Sequence, residues 1–182
     1  MRVIGLAGWS GAGKTTLIAK SIPILRARGL SVSTLKHAHH SFDIDQPGKD
    51  SHMHREAGAT EVLIASVNRF ALMHELRGDK EPSLAELLGH LCAVDLVIVE
   101  GFKAEPHVKV EVHRASNGKP FLFPQDLNIE AVISDAPDLA KRLPDHLPRA
   151  GLDDRETIVD LILKLALPLD ETLHRLAAAG QA

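Results

Sequence analysis

Eight consecutive residues near the start of the chain, Gly8-Trp9-Ser10-Gly11-Ala12-Gly13-Lys14-Thr15, have the types and spacing of a phosphate cradle, G-x-x-x-x-G-K-[ST]. Phosphate oxygens are held there by backbone N–H groups that must come close. Glycine at 11 and 13 keeps Cβ atoms out of the way. A helix starting near Lys14 turns its unpaired N–H groups and the positive end of its dipole toward the anion. Lys14 adds a point charge for the β- and γ-phosphates, and the Thr15 hydroxyl suits Mg²⁺. Ser10, Gly11, Ala12, Gly13, Lys14, Thr15 and Thr16 are therefore the nucleotide-binding candidates.

Such a cradle needs a carboxylate near the metal. The run Asp95-Leu96-Val97-Ile98-Val99-Glu100-Gly101 offers two. A strand rises about 3.3 Å per residue, which separates them by roughly 16 Å. Ligands of open α/β sheets bind beyond the carboxyl ends of the strands. Glu100 stands at that end and Asp95 at the strand entrance, so Lys14 and Glu100 are the catalytic candidates and Thr15 and Glu100 the metal candidates. Gly101 lets the chain turn away beside the phosphates. No Asn-Lys-x-Asp guanine motif is present, and no glutamine or arginine is identifiable as a water positioner or charge-neutralising finger. Intrinsic hydrolysis is expected to be slow, with the nucleotide acting more as ligand or switch.

A second polar cluster follows the second expected strand. His37, His39, His40, His52 and His54 fall close together. Three readings stand side by side: an imidazole metal site, a loop contacting an anion or cofactor through Lys36, His37, Asp43, Asp45, Lys49 and Arg55, and a solvated loop. Asp135, just beyond another buried strand, reads either as an acceptor for a guanine amino group and ring N–H or as a helix cap. Lys103, Lys109 and Arg114 read either as contacts to phosphate or a partner or, more simply, as a solvated edge, Trp9 as packing beside the nucleotide or at a subunit contact, and Cys92 as core on a helical face.

The elements that must carry these groups alternate. Short apolar runs at 3–7, 96–99 and 129–133 read as buried strands, and 30–36 as another strand. Residues 108–112 alternate apolar and charged, as an edge strand would. Ile18, Ile22 and Leu25 mark a helical face stopped by Gly29; Pro23 removes one backbone bond, and the helix is expected to continue through it with a bend. Further helices are expected over 50–57, over 82–91 and after a cap at Asp153 or Asp154. A hairpin turns at Val67-Asn68. The fold class is α/β, a P-loop NTPase fold with a largely parallel sheet, helices on both faces and an antiparallel edge. The domain expectation is 1–167 for the nucleotide-binding domain and 168–182 for a C-terminal tail. The net charge of −3 and the scarcity of aromatics, 3%, argue against a nucleic-acid binder. A single cysteine and the lack of a long apolar run or signal segment are the pattern of a cytoplasmic chain without membrane association.

Together, the cradle with Thr16-Leu17, Lys36-His37-Ala38-His39-His40, Phe42-Asp43-Ile44-Asp45, Pro47-Gly48-Lys49-Asp50-Ser51, His54-Arg55-Glu56-Ala57-Gly58-Ala59 and Val99-Glu100-Gly101-Phe102-Lys103 resemble the MobB family. These are adapter proteins of molybdopterin-guanine dinucleotide biosynthesis. The resemblance is dense over 3–114 and loose to Leu167. It implies GTP and Mg²⁺ as ligands, weak GTP hydrolysis, a homodimer, and assistance to the molybdenum cofactor nucleotidyltransferase that joins GMP to molybdopterin. It also leaves molybdopterin itself open as a ligand. Position by position, Ser10 to Thr16 would hold phosphates, Thr15 and Glu100 the metal, Asp135 the guanine, and the block from Lys36 to Arg55 would face substrate or partner. Rival readings are a nickel-type metallochaperone GTPase, motivated by the histidines, and a small-molecule kinase of dethiobiotin-synthetase type.

Overall fold

The computed structural model describes residues 1–38 and 42–179. His39 and His40, part of the histidine cluster, lie outside the described residues, as does the end of the C-terminal tail. The chain forms two compact units, one of Met1–His37 and Leu84–Ala182 and the other of Ala38–Ser83.

The larger unit is built on strands β1 (Arg2–Ala7), β2 (Val32–Lys36), β5 (Leu96–Glu100), β6 (Lys109–His113), β7 (Ile129–Ser134) and β8 (Arg149–Ala150). All are parallel, in the order β2-β5-β1-β6-β7-β8. A short β9 (Leu167–Pro168) pairs antiparallel with the start of β1, and the smaller unit adds an antiparallel hairpin. β1 and β5 read as continuous apolar runs because both faces of the sheet are covered. Ile4, Leu6, Leu96 and Ile98 face the helices α1 (Lys14–Ala27) and α5 (Arg155–Leu165). Val3, Val97 and Val99 face α3 (Leu84–Gly89) and α6 (Leu169–Ala179). Asp154 caps α5, its carboxylate accepting from the Thr157 N–H at 3.2 Å. In α6, Leu176 is buried with Val3 and Leu35, and the Leu169 N–H bonds the Met1 carbonyl. No helix among the described residues is long and apolar enough to cross a membrane.

Helix α1 runs through Pro23, as its periodic apolar face implies. The carbonyl that loses its partner there is that of Ala19, and both residues lie on the exposed side, where water can serve. The alternating segment is not an edge: β6 lies between β1 and β7 with all five residues buried. Its charges are satisfied from the chain that follows. Lys109 pairs with Asp126 at 2.9 Å and donates to the carbonyls of Lys103 and Glu105, while Glu111 accepts from the Leu122 and Phe123 N–H groups. Lys109 is thus a core residue rather than part of a solvated edge. Cys92 is exposed, beyond the end of α3, and not on an apolar helical face.

The smaller unit holds α2 (Asp50–Glu56) and the hairpin β3 (Glu61–Ala65) and β4 (Phe70–His74), in register Val62↔Met73, Leu63↔Leu72 and Ala65↔Phe70. Period-two alternation puts Val62 and Met73 on a buried face and Leu63, Phe70 and Leu72 on an exposed one.

Candidate nucleotide site

Residues 8–13 link the carboxyl end of β1 to the start of α1, the strand-to-helix corner that the motif requires. Gly8 has φ +148°, and a Cβ there would lie 2.3 Å from the Val112 carbonyl oxygen, so only glycine lets the loop leave the sheet beside β6. The loop closes with Ala12 N–H on the Trp9 carbonyl. The first helical bond runs from Leu17 N–H to the Gly13 carbonyl. Helix geometry therefore leaves the N–H groups of Lys14, Thr15 and Thr16 to an outside acceptor. Lys14 reaches back over the loop, its Nζ donating to the carbonyls of Gly8 and Trp9 at 2.8 and 3.0 Å. Burial, then the neighbouring Lys103 and Lys36, lower its pKa against the opposing pull of Glu100. An anion in the loop would relieve that crowding of positive charge.

Glu100 ends β5 next to this corner, and its Oε1 accepts from the Thr15 hydroxyl at 2.8 Å. The Lys36 ammonium, at the end of β2, is 3.6 Å from the same oxygen and 3.5 Å from the Thr15 hydroxyl. Gly101, at φ +103°, turns the chain away, and a Cβ there would meet the His37 Cβ at 2.7 Å. The His37 ring rests 4.8 Å from that of Phe102. Thr15 and Glu100 are hard oxygen donors, the set that suits Mg²⁺. Asp95, at the other end of β5, fastens the start of β2 by accepting from the Ser31 N–H and hydroxyl. Those bonds hold its pKa down.

The opposite side of the loop is supplied by chain following β6 and β7. Asn117 donates to the Ser10 carbonyl at 3.2 Å. Asp135 accepts from the Ala115 N–H at 2.7 Å and from Arg114 at 3.4 Å. It does not cap α4 (Leu139–Arg142), which is preceded by Asp138. The Trp9 indole donates to the Pro120 carbonyl at 2.8 Å, with Lys103 and Lys119 over its ring. Sequence reading reaches Arg114 only as one of three cations open to phosphate, partner or solvent, and it misses Asn117, because a hundred residues and a strand crossover separate both from the cradle.

The block from Lys36 to Arg55 divides. Lys36 and His37 belong to the larger unit, while Asp43, Asp45 and Arg55 belong to the smaller one. There Arg55 is held by Asp43, Asp45 and Glu75 at 3.0, 3.1 and 2.9 Å, and Asp45 also accepts from Ser51. Among the described residues, no group of three His, Cys, Asp or Glu is placed to hold a metal ion.

The sequence matches, over residues 3–135, the model of the family described as Molybdopterin guanine dinucleotide synthesis protein B, MobB. It is 43% identical over 138 residues to the molybdopterin-guanine dinucleotide biosynthesis adapter protein of Escherichia coli (strain K12), covering 74% of this chain and 79% of that one. With the protein of the same name from Haemophilus influenzae it is 45% identical over 120 residues, 65% of this chain and 66% of that one. A crystal structure of Bacillus subtilis MobB shares the fold with a TM-score of 0.70 at 24% identity, over 91% of this chain and 98% of that one. A crystal structure of molybdopterin-guanine biosynthesis protein B gives 0.65 at 29% identity, over 90% and 99%.

Proposed function

The chain belongs to the MobB family, and on that premise we propose that it is a cytoplasmic GTP-binding adapter in molybdopterin-guanine dinucleotide biosynthesis. It would work as a homodimer beside the nucleotidyltransferase that joins GMP to molybdopterin. The observation that carries the reading is the cradle of residues 8–15 with Glu100 bonded to Thr15 at its mouth. In this reading the backbone of Ser10 to Thr16 and the Lys14 ammonium bind the phosphates, Thr15 and Glu100 hold Mg²⁺, and Asp135 stands at the guanine end. Bound Mg²⁺ supplies positive charge against the β- and γ-phosphates. Glu100 is engaged by a hydroxyl and an ammonium group, which suits a metal holder better than a free base and fits weak hydrolysis. Lys36, beside Thr15 and Glu100 at the mouth, and His37, which follows it, would meet a substrate or partner. Asp43, Asp45 and Arg55 would act by shaping the smaller unit for a partner, with molybdopterin a further candidate ligand.

Calorimetry with GTP and ATP, each with Mg²⁺ and with or without the nucleotidyltransferase, tests the proposal. GTP is expected to bind more tightly than ATP and to strengthen association with the transferase. Lys14→Ala should abolish most triphosphate affinity while the fold persists. Equal GTP binding by that variant, or fast phosphoryl transfer with ATP preferred, would contradict the adapter reading. Glu100→Gln should weaken Mg²⁺-dependent hydrolysis more than nucleotide binding.

A further inference from the structure

We propose that Arg114 is a nucleotide-binding residue, gripping the end of the nucleotide nearest the nucleoside, at the α-phosphate and the adjoining base; this rests on the reading of residues 8–15 as the phosphate cradle. The sheet order sets the geometry. β1, which carries the loop, lies between β5 and β6. Glu100 ends β5 and, with Thr15, marks the metal and terminal-phosphate side. Arg114 follows β6 directly and so flanks the loop from the other side. A nucleotide whose terminal phosphates lie toward Glu100 must send its nucleoside end toward β6 and β7.

The guanidinium is built into that position rather than free on the surface. Asp135 takes one corner, Nη1, at 3.4 Å, and the Asp135 carboxylate is itself anchored by the Ala115 N–H at 2.7 Å. The remaining part of the fork faces the loop. A Cβ on Gly13 would lie 3.3 Å from Nη2 and 4.0 Å from Nε. A side chain larger than glycine at 13 would therefore crowd the arginine. The turn that follows is fastened to the cradle by Asn117 on the Ser10 carbonyl, so Arg114 and the loop hold one register. The Arg114 side chain keeps 40% of its surface open, enough to meet a ligand. A planar fork of donors suits a phosphate oxygen pair or a base face, which a lysine would serve less well. Asp135 is in this account a positioning residue for Arg114, its two oxygens engaged by the protein.

The test compares the whole protein with Arg114→Ala and Arg114→Lys by calorimetry, using GDP and GTP over a range of Mg²⁺ concentrations. A contact at the nucleoside end is shared by both ligands. Arg114→Ala should weaken GDP and GTP by the same factor, about ten- to a hundredfold, without changing the Mg²⁺ dependence. Arg114→Lys, which keeps the charge and loses the fork, should give a smaller loss for both, and it serves if the alanine variant folds poorly. Loss confined to GTP would put Arg114 at the terminal phosphate and overturn the placement. Unchanged affinity for both ligands, with the wild type binding and Lys14→Ala not binding, would overturn the inference alone. If the wild type bound neither ligand, the cradle reading itself would fall.

Discussion

At the scale of single residues, burial decides which charges the fold resists. His107 is buried, its ring against Gly5, and neither ring nitrogen has a hydrogen-bond partner among the described residues. Burial, and then the charge of Lys109, push its pKa down from 6.5 to about 4. The unfolded chain therefore takes up a proton near pH 6.5 that the folded chain refuses until about pH 4. Stability should fall as pH drops through that window, by about 3 kcal/mol in full. Urea unfolding at pH 7 and pH 5 measures this, and His107→Leu should flatten the part of the slope due to this residue; an unchanged slope would remove His107 from the account. Glu111, raised by burial, has the opposite sign. Its protonated form is favoured in the fold, so the stability it contributes is present at low pH and lost as pH rises through its raised folded value.

At the scale of elements, Pro23 offers a direct experiment. Alanine there would restore the N–H that the Ala19 carbonyl lacks, and the helix already runs through the position. Pro23→Ala should stabilise the chain by roughly 1–3 kcal/mol in denaturant unfolding. A neutral or negative result would mean that the proline's restriction of the unfolded chain outweighs the missing bond. The elements also show what a sequence discloses. β1, α1, the hairpin with its Val67-Asn68 turn and the Asp154 cap are written in local spacing, and each is found where its spacing puts it. β6 is the counterexample. Lys109 and Glu111 look like solvent-facing residues until Asp126 and the N–H groups of Leu122 and Phe123 arrive from the next loop. Of the site, the loop and Glu100 were legible because both lie at the ends of unmistakable strands. Arg114 was legible only as a cation open to phosphate, partner or solvent, and Asn117 not at all, because their meeting with the loop depends on which strand is laid beside β1.

At the scale of the whole molecule, the smaller unit carries most of the exposed large hydrophobic side chains. Among the described residues these lie between Phe42 and Leu72, with Leu127 the exception. Leu63, Phe70 and Leu72 share one face of a two-stranded sheet, an arrangement that is marginal by itself in water. This surface supports the homodimer proposed above. Phe70→Asp with Leu72→Glu should convert the dimer to monomer in sedimentation experiments, while GTP affinity at the cradle stays within about twofold, a fraction of a kcal/mol; a persistent dimer would move the contact elsewhere. Trp9 has a consequence for anyone handling the protein. The chain has one tryptophan and no tyrosine, so its near-ultraviolet absorbance is faint, and its red-edge fluorescence arises from a single indole set in the phosphate loop and bonded to Pro120. The emission colour of the unlabelled protein is therefore a local optical gauge of that loop, readable in a cuvette.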